Sequence, residues 1–154
     1  MERTLLLIKP DAIQRGFIGD IITRFERKGL KVAGMKMIQL DDALLDSHYS
    51  HLVGKPFFVR IKEFMKSTPV IACSIEGLDA VSVVRNMCGI TKAREAQVGT
   101  VRGDLGLSVQ ANLVHASDTK ENALLEVNRF FKADELFTYK QVAIDYLYSD
   151  DELN

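Results

Sequence analysis

The sequence has few cysteines and no long apolar run. Its 154 residues include only two cysteines, Cys73 and Cys88. Two cysteines cannot build a disulfide framework or a four-ligand zinc site, so we interpret both as reduced packing residues. No apolar run approaches the ~18 residues that a membrane span needs, and the chain opens with a strand-like segment rather than a basic, apolar leader. These absences predict a cytoplasmic protein with no membrane segment.

The sequence also lacks an excess of either charge. There are 20 Lys and Arg against 21 Asp and Glu, which gives a net charge of −1. Binding many phosphates along a nucleic acid requires a marked excess of Lys and Arg on one face. Dedicated nucleic-acid binding is therefore not expected, and any phosphate site must be local. The hydrophobic share of 47% and the charged share of 27% are typical of globular proteins, and the length predicts a single domain over residues 1–154.

The spacing of the apolar residues predicts alternating strands and helices. Residues 4–8 form a run that is typical of a strand buried on both faces, and Pro10 ends it. Residues 18–28 repeat apolar side chains at helical spacing before Gly29, a typical C-terminal stop. The other predicted elements are a strand over 31–40, a helical pair over 41–66 interrupted at 54–56, a strand over 70–75, a helix over 78–88, a strand over 112–115 and a helix that begins at 117–119.

This order is β-α-β-β-α-β with an inserted helical pair and a long loop before the last strand. It predicts an α/β protein of the α+β kind with a ferredoxin-like fold, in which a four-stranded antiparallel sheet carries helices on one face. Asp41 or Asp42 is expected to cap the first inserted helix, and Asp118 with Glu121 has the spacing of a capping box. Residues 136–154 show no clear amphipathic order and are expected to pack as an arm on this subunit or on a neighbour.

The loop over residues 89–110 has no sustained period and contains several glycines beside cationic residues. Loops of this length inside a compact domain are usually functional or disordered, and this composition is too mixed for disorder. Arg102 lies in the loop, Lys9 at a strand end and Arg85 at a helix end, so the three could converge and neutralise a phosphoryl group. Taken singly, each is an ordinary surface charge. Neither a Walker loop nor a GxGxxG motif is present, so a nucleotide would be held by another design.

His115 carries the strongest functional signal, because it lies at a strand-to-helix junction. The free N–H groups and the dipole of a helix N-terminus favour an anion there, and a phosphoryl group is the obvious candidate. Glu126 lies about 40° around the following helix from Phe130, at the edge of the apolar face. It could accept a hydrogen bond from one imidazole nitrogen and leave the other as a nucleophile. The alternatives are a structural histidine bonded to a backbone carbonyl and an exposed glutamate at the helix rim.

The other two histidines, His48 and His51, lie three residues apart on a predicted helix. Such a pair on a polar helix is more often solvated than bound to metal, and a zinc site would need a third ligand. We therefore predict no side chain that ligates a metal.

The chain resembles the nucleoside diphosphate kinase family over nearly its whole length. The segments that carry the resemblance occur in the family's order and spacing, and NLVHASD is similar to its signature around a phosphorylated histidine. The resemblance implies reversible ping-pong transfer of the γ-phosphate from a nucleoside triphosphate such as ATP to a nucleoside diphosphate. It also implies a ferredoxin-like fold and a cytoplasmic homo-oligomer, commonly a hexamer, with a tetramer as the alternative. The segments are ERTLLLIKPDAIQRG, HY, KPFF, TVRGD and NLVHASD.

The resemblance implies a role for each matching position. His115 would be the nucleophile that becomes phosphohistidine, with Glu126 and Ser117 as its supporting pair. Phe57 would be the ring on which the base stacks, which tolerates any base because every base has a π face. The remaining implied contacts are Lys9 and Tyr49 at the transferring phosphate, Arg85, Thr91 and Arg102 at the diphosphate, and Asn112 with Lys9 at the ribose 3′-hydroxyl.

The resemblance further implies Mg²⁺ bound through the nucleotide phosphates, with no direct side-chain ligand, although Asp118 could reach it through water. The chain departs from the common family pattern at a few positions. Ala116 stands where the family usually has glycine, and Thr119 replaces a serine but keeps the hydroxyl. The loop lacks two usual prolines, at residues 91–93 and at Val98, so we expect it to be looser, which bears on the size of the oligomer.

Two other functions fit parts of the pattern. One is a non-catalytic nucleotide- or nucleic-acid-binding module with a ferredoxin-like fold, but simple binding needs no nucleophile such as His115. The other is a histidine phosphorelay domain, which would carry its histidine in the middle of a helix in a bundle. The strand-rich pattern disfavours that architecture.

Overall fold

The computed structural model describes residues 1–153, and its four strands form one antiparallel sheet. The strand order is β2-β3-β1-β4, so the first and third strands in the chain are the two central ones. This order confirms the predicted ferredoxin-like arrangement. The strands are β1 (Glu2–Ile8), β2 (Lys31–Ile38), β3 (Val70–Gly77) and β4 (Val114–Ala116).

Eight α-helices connect and cover these strands in the described part of the chain. Two of them, α1 and α6, have five residues each and were not expected, because so short a helix shows no apolar period. Pro10 opens α1 at a position where proline is favoured. The helices are α1 (Pro10–Gln14), α2 (Ile18–Arg27), α3 (Asp42–His48), α4 (Phe58–Lys66), α5 (Ala80–Cys88), α6 (Val101–Leu105), α7 (Lys120–Phe130) and α8 (Ile144–Leu147), with 3₁₀ turns at Ser50–Leu52, Ala93–Glu95, Ala133–Glu135 and Asp150–Glu152.

Both faces of the sheet are covered by helices, so the prediction of helices on one face only is wrong. Leu6 and Ile8 of β1 pack in one core with α2 and α5. Leu5 and Leu7, which point the other way, pack in a second core with α3, α4 and α7. The reason is visible in β1 itself: a strand with apolar side chains on both faces needs cover on both. The inserted helical pair and α7 supply the second layer.

The helix caps agree with the sequence in one case and differ in another. The Asp41 side chain caps α3 by accepting the Leu44 N–H at 2.8 Å. The capping box of Asp118 and Glu121 does not form. Thr119 caps α7 instead by accepting the Asn122 N–H at 3.1 Å, and Asp118 accepts from the side chain of the same asparagine.

The C-terminal arm packs on its own subunit, across the start of β2. The Phe137 N–H donates to the Ala33 carbonyl at 2.7 Å, and the Tyr139 hydroxyl donates to the Val32 carbonyl at 2.9 Å. Residues 136–153 of the predicted arm are described, whereas Asn154 lies outside the described residues. Both cysteines are free and buried, and no helix within residues 1–153 has the length and apolar character to cross a bilayer.

Candidate active site

The sheet edge formed by β4 opens into a cleft of about 780 Å³. His115 is the middle residue of β4 and lies opposite Leu7 of β1, with its side chain reaching the cleft. The strand β4 therefore presents His115 at the sheet edge, and the elements on either side deliver the other polar groups. Most of the predicted site residues line this cleft, namely Lys9, Tyr49, Arg85, Thr91, Arg102, Asn112, His115 and Glu126.

The geometry around His115 fixes which ring nitrogen is free. The Nε2 atom lies 2.9 Å from Glu126 Oε2, and the Ser117 hydroxyl donates to the same oxygen at 2.6 Å. Burial alone would raise the pKa of Glu126, but the hydrogen bonds from His115 and Ser117 bring it down to about 2. An ionised carboxylate only accepts hydrogen bonds, so Nε2 of His115 carries the proton. The other nitrogen, Nδ1, keeps its lone pair and can act as a nucleophile.

Ser117 and the cap of α7 hold Glu126 in place. The Ser117 hydroxyl is buried and accepts the Leu5 N–H of β1 at 3.3 Å while it donates to the carboxylate. The α7 helix begins after the Thr119 cap, four residues beyond His115 in the chain. It brings Glu126, one position before the buried Val127, back beneath the imidazole. The orientation of Glu126 is thus tied both to the sheet and to the start of the helix.

His48 is a second histidine in the site, and the expectation that it is solvated is wrong. It is only 6% exposed, and its ring meets that of His115 edge to face at 4.6 Å. Burial lowers its pKa to about 3, with the charges of His115 and Arg129 acting in the same direction, so His48 is neutral. The signal was present in the sequence, because His48 follows the buried Leu45 at i+3 on α3.

Potential metal ligands also meet at this point. One ligand atom each from His48, His115 and Glu126 lies within 4.8 Å of the others. A guanidinium nitrogen of Arg129 lies 3.5 Å from His48 Nδ1, however, and its positive charge opposes a cation there. Glu126 is already bonded to Ser117 and His115. We therefore interpret the cluster as support for the imidazole of His115.

Lys9 and Asn112 form a buried pair beside the cleft. Lys9 Nζ donates to Asn112 Oδ1 and to the Gln110 carbonyl, both at 2.7 Å. Burial lowers the pKa of Lys9 to about 8, although the nearby Asp11 carboxylate acts in the opposite direction. The amide of Asn112 donates to two loop carbonyls, those of Thr91 and Val109. The pair therefore joins the end of β1 to the loop before β4.

The arginines hold the loop against β4. Arg102 donates to the carbonyls of Gly89, Asn112 and Val114 at 2.6 Å, 3.2 Å and 2.6 Å. Arg85 is exposed at the end of α5 and donates to the Ala116 carbonyl at 3.3 Å. These two cations, together with Lys9 and Arg129, outnumber the acidic groups of the cleft. The cleft therefore favours an anionic ligand.

Two predicted site residues, Ser117 and Phe57, do not line the cleft. Ser117 lies behind Glu126, where it acts on the carboxylate. Phe57 is 46% exposed, immediately before α4, and does not line the cleft. Tyr49 does line it, with its ring 6.4 Å from that of His115, and burial raises the pKa of its hydroxyl to about 12. Sequence reasoning missed His48 and Arg129 as parts of this site.

Comparison with known proteins gives a consistent result. A family model described as nucleoside diphosphate kinase matches residues 2–136. The nucleoside diphosphate kinase of Parabacteroides distasonis is 55% identical over 152 residues, which is 99% of each chain. That of Pyrococcus horikoshii is 51% identical over 96% of this chain and 95% of its own.

Solved structures agree with the sequence relatives. The chain is similar to a halophilic nucleoside diphosphate kinase from Halobacterium salinarum in complex with CDP, with a TM-score of 0.93 and 43% identity. The match covers 96% of this chain and 98% of that one. A nucleoside diphosphate kinase family protein from Babesia bovis also has a TM-score of 0.93, at 38% identity over 96% of this chain and all of its own.

Proposed function

Because the chain belongs to the nucleoside diphosphate kinase family, we propose that it transfers the γ-phosphate of a nucleoside triphosphate, such as ATP, to a nucleoside diphosphate through phosphohistidine at His115. One observation carries the assignment of the nucleophile. The bond between His115 Nε2 and Glu126 at 2.9 Å leaves Nδ1 as the free nitrogen. Binding alone would need no such arrangement, and a phosphorelay histidine in the middle of a helix does not match a residue of strand β4.

The reaction proceeds in two similar steps. In the first, Nδ1 of His115 attacks the γ-phosphorus in line, the N–P bond forms, and the bond to the β-phosphate oxygen breaks as the diphosphate leaves. In the second, the terminal phosphate oxygen of another diphosphate attacks the phosphohistidine and restores the neutral ring. The Nε2 proton stays on the ring throughout, and the Glu126 carboxylate stabilises the positive charge that develops there. Donor and acceptor can share one site because their diphosphate tails are equivalent.

The cations and polar groups would bind and orient the nucleotide. Phosphoryl transfer depends mainly on positioning and on neutralising charge on the equatorial oxygens. Lys9 and Tyr49 are suited to the transferring phosphate, and the Lys9–Asn112 pair to the ribose 3′-hydroxyl. Phe57, exposed outside the cleft, would stack on the base. The groups assigned to the diphosphate are Arg85, Thr91 and Arg102, which line the cleft.

Magnesium would be bound through the nucleotide phosphates. Mg²⁺ prefers oxygen ligands, keeps several of its waters and usually takes only one or two carboxylates. Asp118 fits this requirement, because it lines the cleft and a hydrogen bond from Asn122 lowers its pKa, which keeps it ionised. Bound there, the ion would neutralise part of the phosphate charge. Asp118 would hold one of its waters.

We also propose a cytoplasmic homo-oligomer, a hexamer with a tetramer as the alternative, in which residues 1–154 form one domain. The two free cysteines fit a reducing compartment. The two cores share a single sheet, which supports one domain. Several large apolar side chains are exposed, which is typical of a subunit interface. They include Met35, Met37, Leu124, Leu125 and Phe137.

Labelled ATP tests the proposed function. Incubation with [γ-³²P]ATP is expected to give an acid-labile, base-stable label on His115, which added GDP removes as labelled GTP. Phosphorus NMR should place the phosphate on Nδ1. His115→Asn should take up no label, whereas His51→Asn, on an exposed histidine at the rim, should behave as wild type. Label that GDP cannot remove, or no label, would contradict the proposal, and nucleotide binding without label would favour the non-catalytic module.

A further inference from the structure

A strained turn lies two residues before His115. Leu113 has φ of 73°, in the left-handed region, and the Val114 N–H donates to the Asn112 carbonyl at 2.9 Å. A positive φ with a hydrogen bond between residues i and i+2 defines the rare and strained form of the γ-turn. A non-glycine residue in this region costs on the order of 1–3 kcal/mol, and it persists only when its surroundings fix it.

The surroundings of Leu113 do fix it, through both of its peptide groups. Its carbonyl accepts the Lys9 N–H at 2.8 Å, which continues the pairing of β1 with β4. Its N–H donates to Asp11 Oδ2 at 2.9 Å. The Leu113 side chain is fully buried in the core beneath α2 and α5. Without the Asp11 carboxylate, this N–H would lose its acceptor in a site that water does not readily reach.

Asp11 is itself placed in an unusual way. Its Oδ1 is buried and has no hydrogen-bond partner within residues 1–153. A buried carboxylate oxygen without a donor is unfavourable unless charges nearby compensate it. Lys9 and Arg102 are those charges, since both interact electrostatically with Asp11. The proposed mechanism gives Asp11 no contact with the nucleotide, so substrate binding does not account for its placement.

The turn determines where Asn112 points. The Asn112 carbonyl accepts from Val114 and from Arg102 Nε, while its side-chain oxygen accepts from Lys9 Nζ at 2.7 Å. Relaxation of Leu113 to a negative φ would rotate the peptide group between residues 112 and 113. The Asn112 side chain would then move relative to Lys9.

We propose that Asp11 is a positioning residue that holds the γ-turn at Leu113 and thereby keeps the Lys9–Asn112 pair aimed at the ribose 3′-hydroxyl. The inference rests on the proposed function, because it assumes that this pair meets the nucleotide sugar. Asp11 acts through the peptide N–H of Leu113. The acceptor oxygen is therefore what matters, and an amide oxygen can replace it.

The test compares ATP with 3′-deoxy-ATP as phosphate donors. We expect wild type to prefer ATP in kcat/KM, and Asp11→Ala to reduce this preference by about 10-fold, the value of one lost hydrogen bond of good geometry. Asp11→Asn should keep most of the preference, because its amide oxygen can still accept the Leu113 N–H. The ratio for two donors does not depend on how much of the enzyme is folded. Asp11→Ser, whose hydroxyl is too short to reach, replaces Asp11→Ala if that variant does not fold.

Asp41→Ala is the matched control. This carboxylate also accepts a backbone N–H, that of Leu44 at 2.8 Å, but at the start of α3 and away from the Lys9–Asn112 pair. The ratio of kcat/KM for ATP to that for 3′-deoxy-ATP should be the same in Asp41→Ala as in wild type. The inference is overturned if Asp11→Ala keeps the wild-type ratio, if Asp11→Asn loses as much as Asp11→Ala, or if wild type uses both donors equally. Failure of wild type to form phosphohistidine at all would instead overturn the proposed function.

Discussion

Burial acts on the pKa values of three side chains around His115, raising that of Glu126 and lowering those of His48 and Lys9. Glu126 stays ionised because its hydrogen bonds outweigh the effect of burial on its pKa. Burial lowers the pKa of His48 by more than the nearby Glu126 carboxylate raises it, so this imidazole is neutral. Lys9 lies between these cases, with a pKa lowered by burial to about 8. A carboxylate, a neutral imidazole and a lysine that titrates near pH 8 therefore lie within one cleft.

The lowered pKa of Lys9 predicts a pH dependence. Below pH 8 the ammonium is charged and can bind the phosphate, whereas above pH 8 the free enzyme loses this proton and the charge. We expect kcat/KM for ATP to fall as the pH rises through about 8, because kcat/KM reports the ionisation of the free enzyme. The measurement is the rate of His115 phosphorylation at low ATP concentration between pH 6 and pH 10.

Lys9→Arg separates this ionisation from others. Arginine stays charged over the whole range, so the fall near pH 8 should disappear, while the rate at pH 7 drops on the order of 10²-fold because the guanidinium does not fit the ammonium site. Lys28→Arg, on an exposed lysine beyond α2, should keep the wild-type profile. A fall near pH 8 that persists in Lys9→Arg would show that another group is responsible.

At the scale of elements, hydrogen bonds from Arg102 tie the loop over residues 89–110 to the end of α5 and to β4. Arg102, which belongs to α6, donates hydrogen bonds to three carbonyls outside this helix. The next residue, Gly103, lies so close to the preceding segment that an added Cβ would be 1.9 Å from the Gln97 carbonyl oxygen. The Thr100 hydroxyl caps α6 by accepting the Gly103 N–H. The position of Arg102 therefore depends on a glycine that no side chain can replace without movement of the backbone.

Gly103→Ala tests this dependence. The backbone clash should lower the free energy of unfolding by roughly 1–3 kcal/mol, as other overpacking substitutions do, and it should reduce phosphoryl transfer by moving Arg102. Chemical denaturation and the labelling rate give the two values. Gly19→Ala is the matched control, because nothing lies within 4 Å of its added Cβ in the exposed part of α2. It should raise the free energy of unfolding by about 0.5–1 kcal/mol. A similar increase for Gly103→Ala would contradict the close packing of Gly103 against Gln97.

The elements also show what the sequence alone could predict. The apolar run of β1 and the period of α2 were clear because each repeats over several residues, and the structure confirms both. The five residues of α6 are too few to show a period, so that helix was missed. The cover on the second face was missed although β1 required it, because the burial of an inserted helical pair depends on contacts distant in sequence. His48 was misjudged although its i+3 spacing from Leu45 is a local signal for the buried face of α3.

The site could be predicted only as far as local sequence determines it. His115 at a strand-to-helix junction and Glu126 at the edge of an apolar face are local features, so both could be singled out. The convergence of Lys9 and Asn112 could not be derived from the residues, since 103 positions separate them. The family resemblance supplied that pairing. The turn at Leu113 had no sequence signal, because leucine is not a residue that favours positive φ.

At the scale of the whole molecule, the C-terminal arm covers part of one sheet edge. It lies against the first half of β2, where the Glu135 carbonyl passes so near Gly34 that an added Cβ would be 2.8 Å away. Beyond Gly34 no residue of the described chain pairs with the outer edge of β2. Two large apolar side chains, Met35 and Met37, are 56% and 57% exposed there. Monomers normally protect such an edge with charges or proline, so a second copy is the expected partner.

Sedimentation of the double variant Met35→Glu/Met37→Glu tests this edge as a subunit contact. Wild type should sediment as a species several times the 17.3 kDa of one chain, and the double variant should shift to smaller species, because a symmetric contact would bring like charges together. Val59→Glu is the control, since Val59 is equally exposed, at 58%, but lies on α4. It should keep the wild-type size. A wild-type monomer would contradict the proposed oligomer, whereas an unchanged double variant would place the contact on another surface.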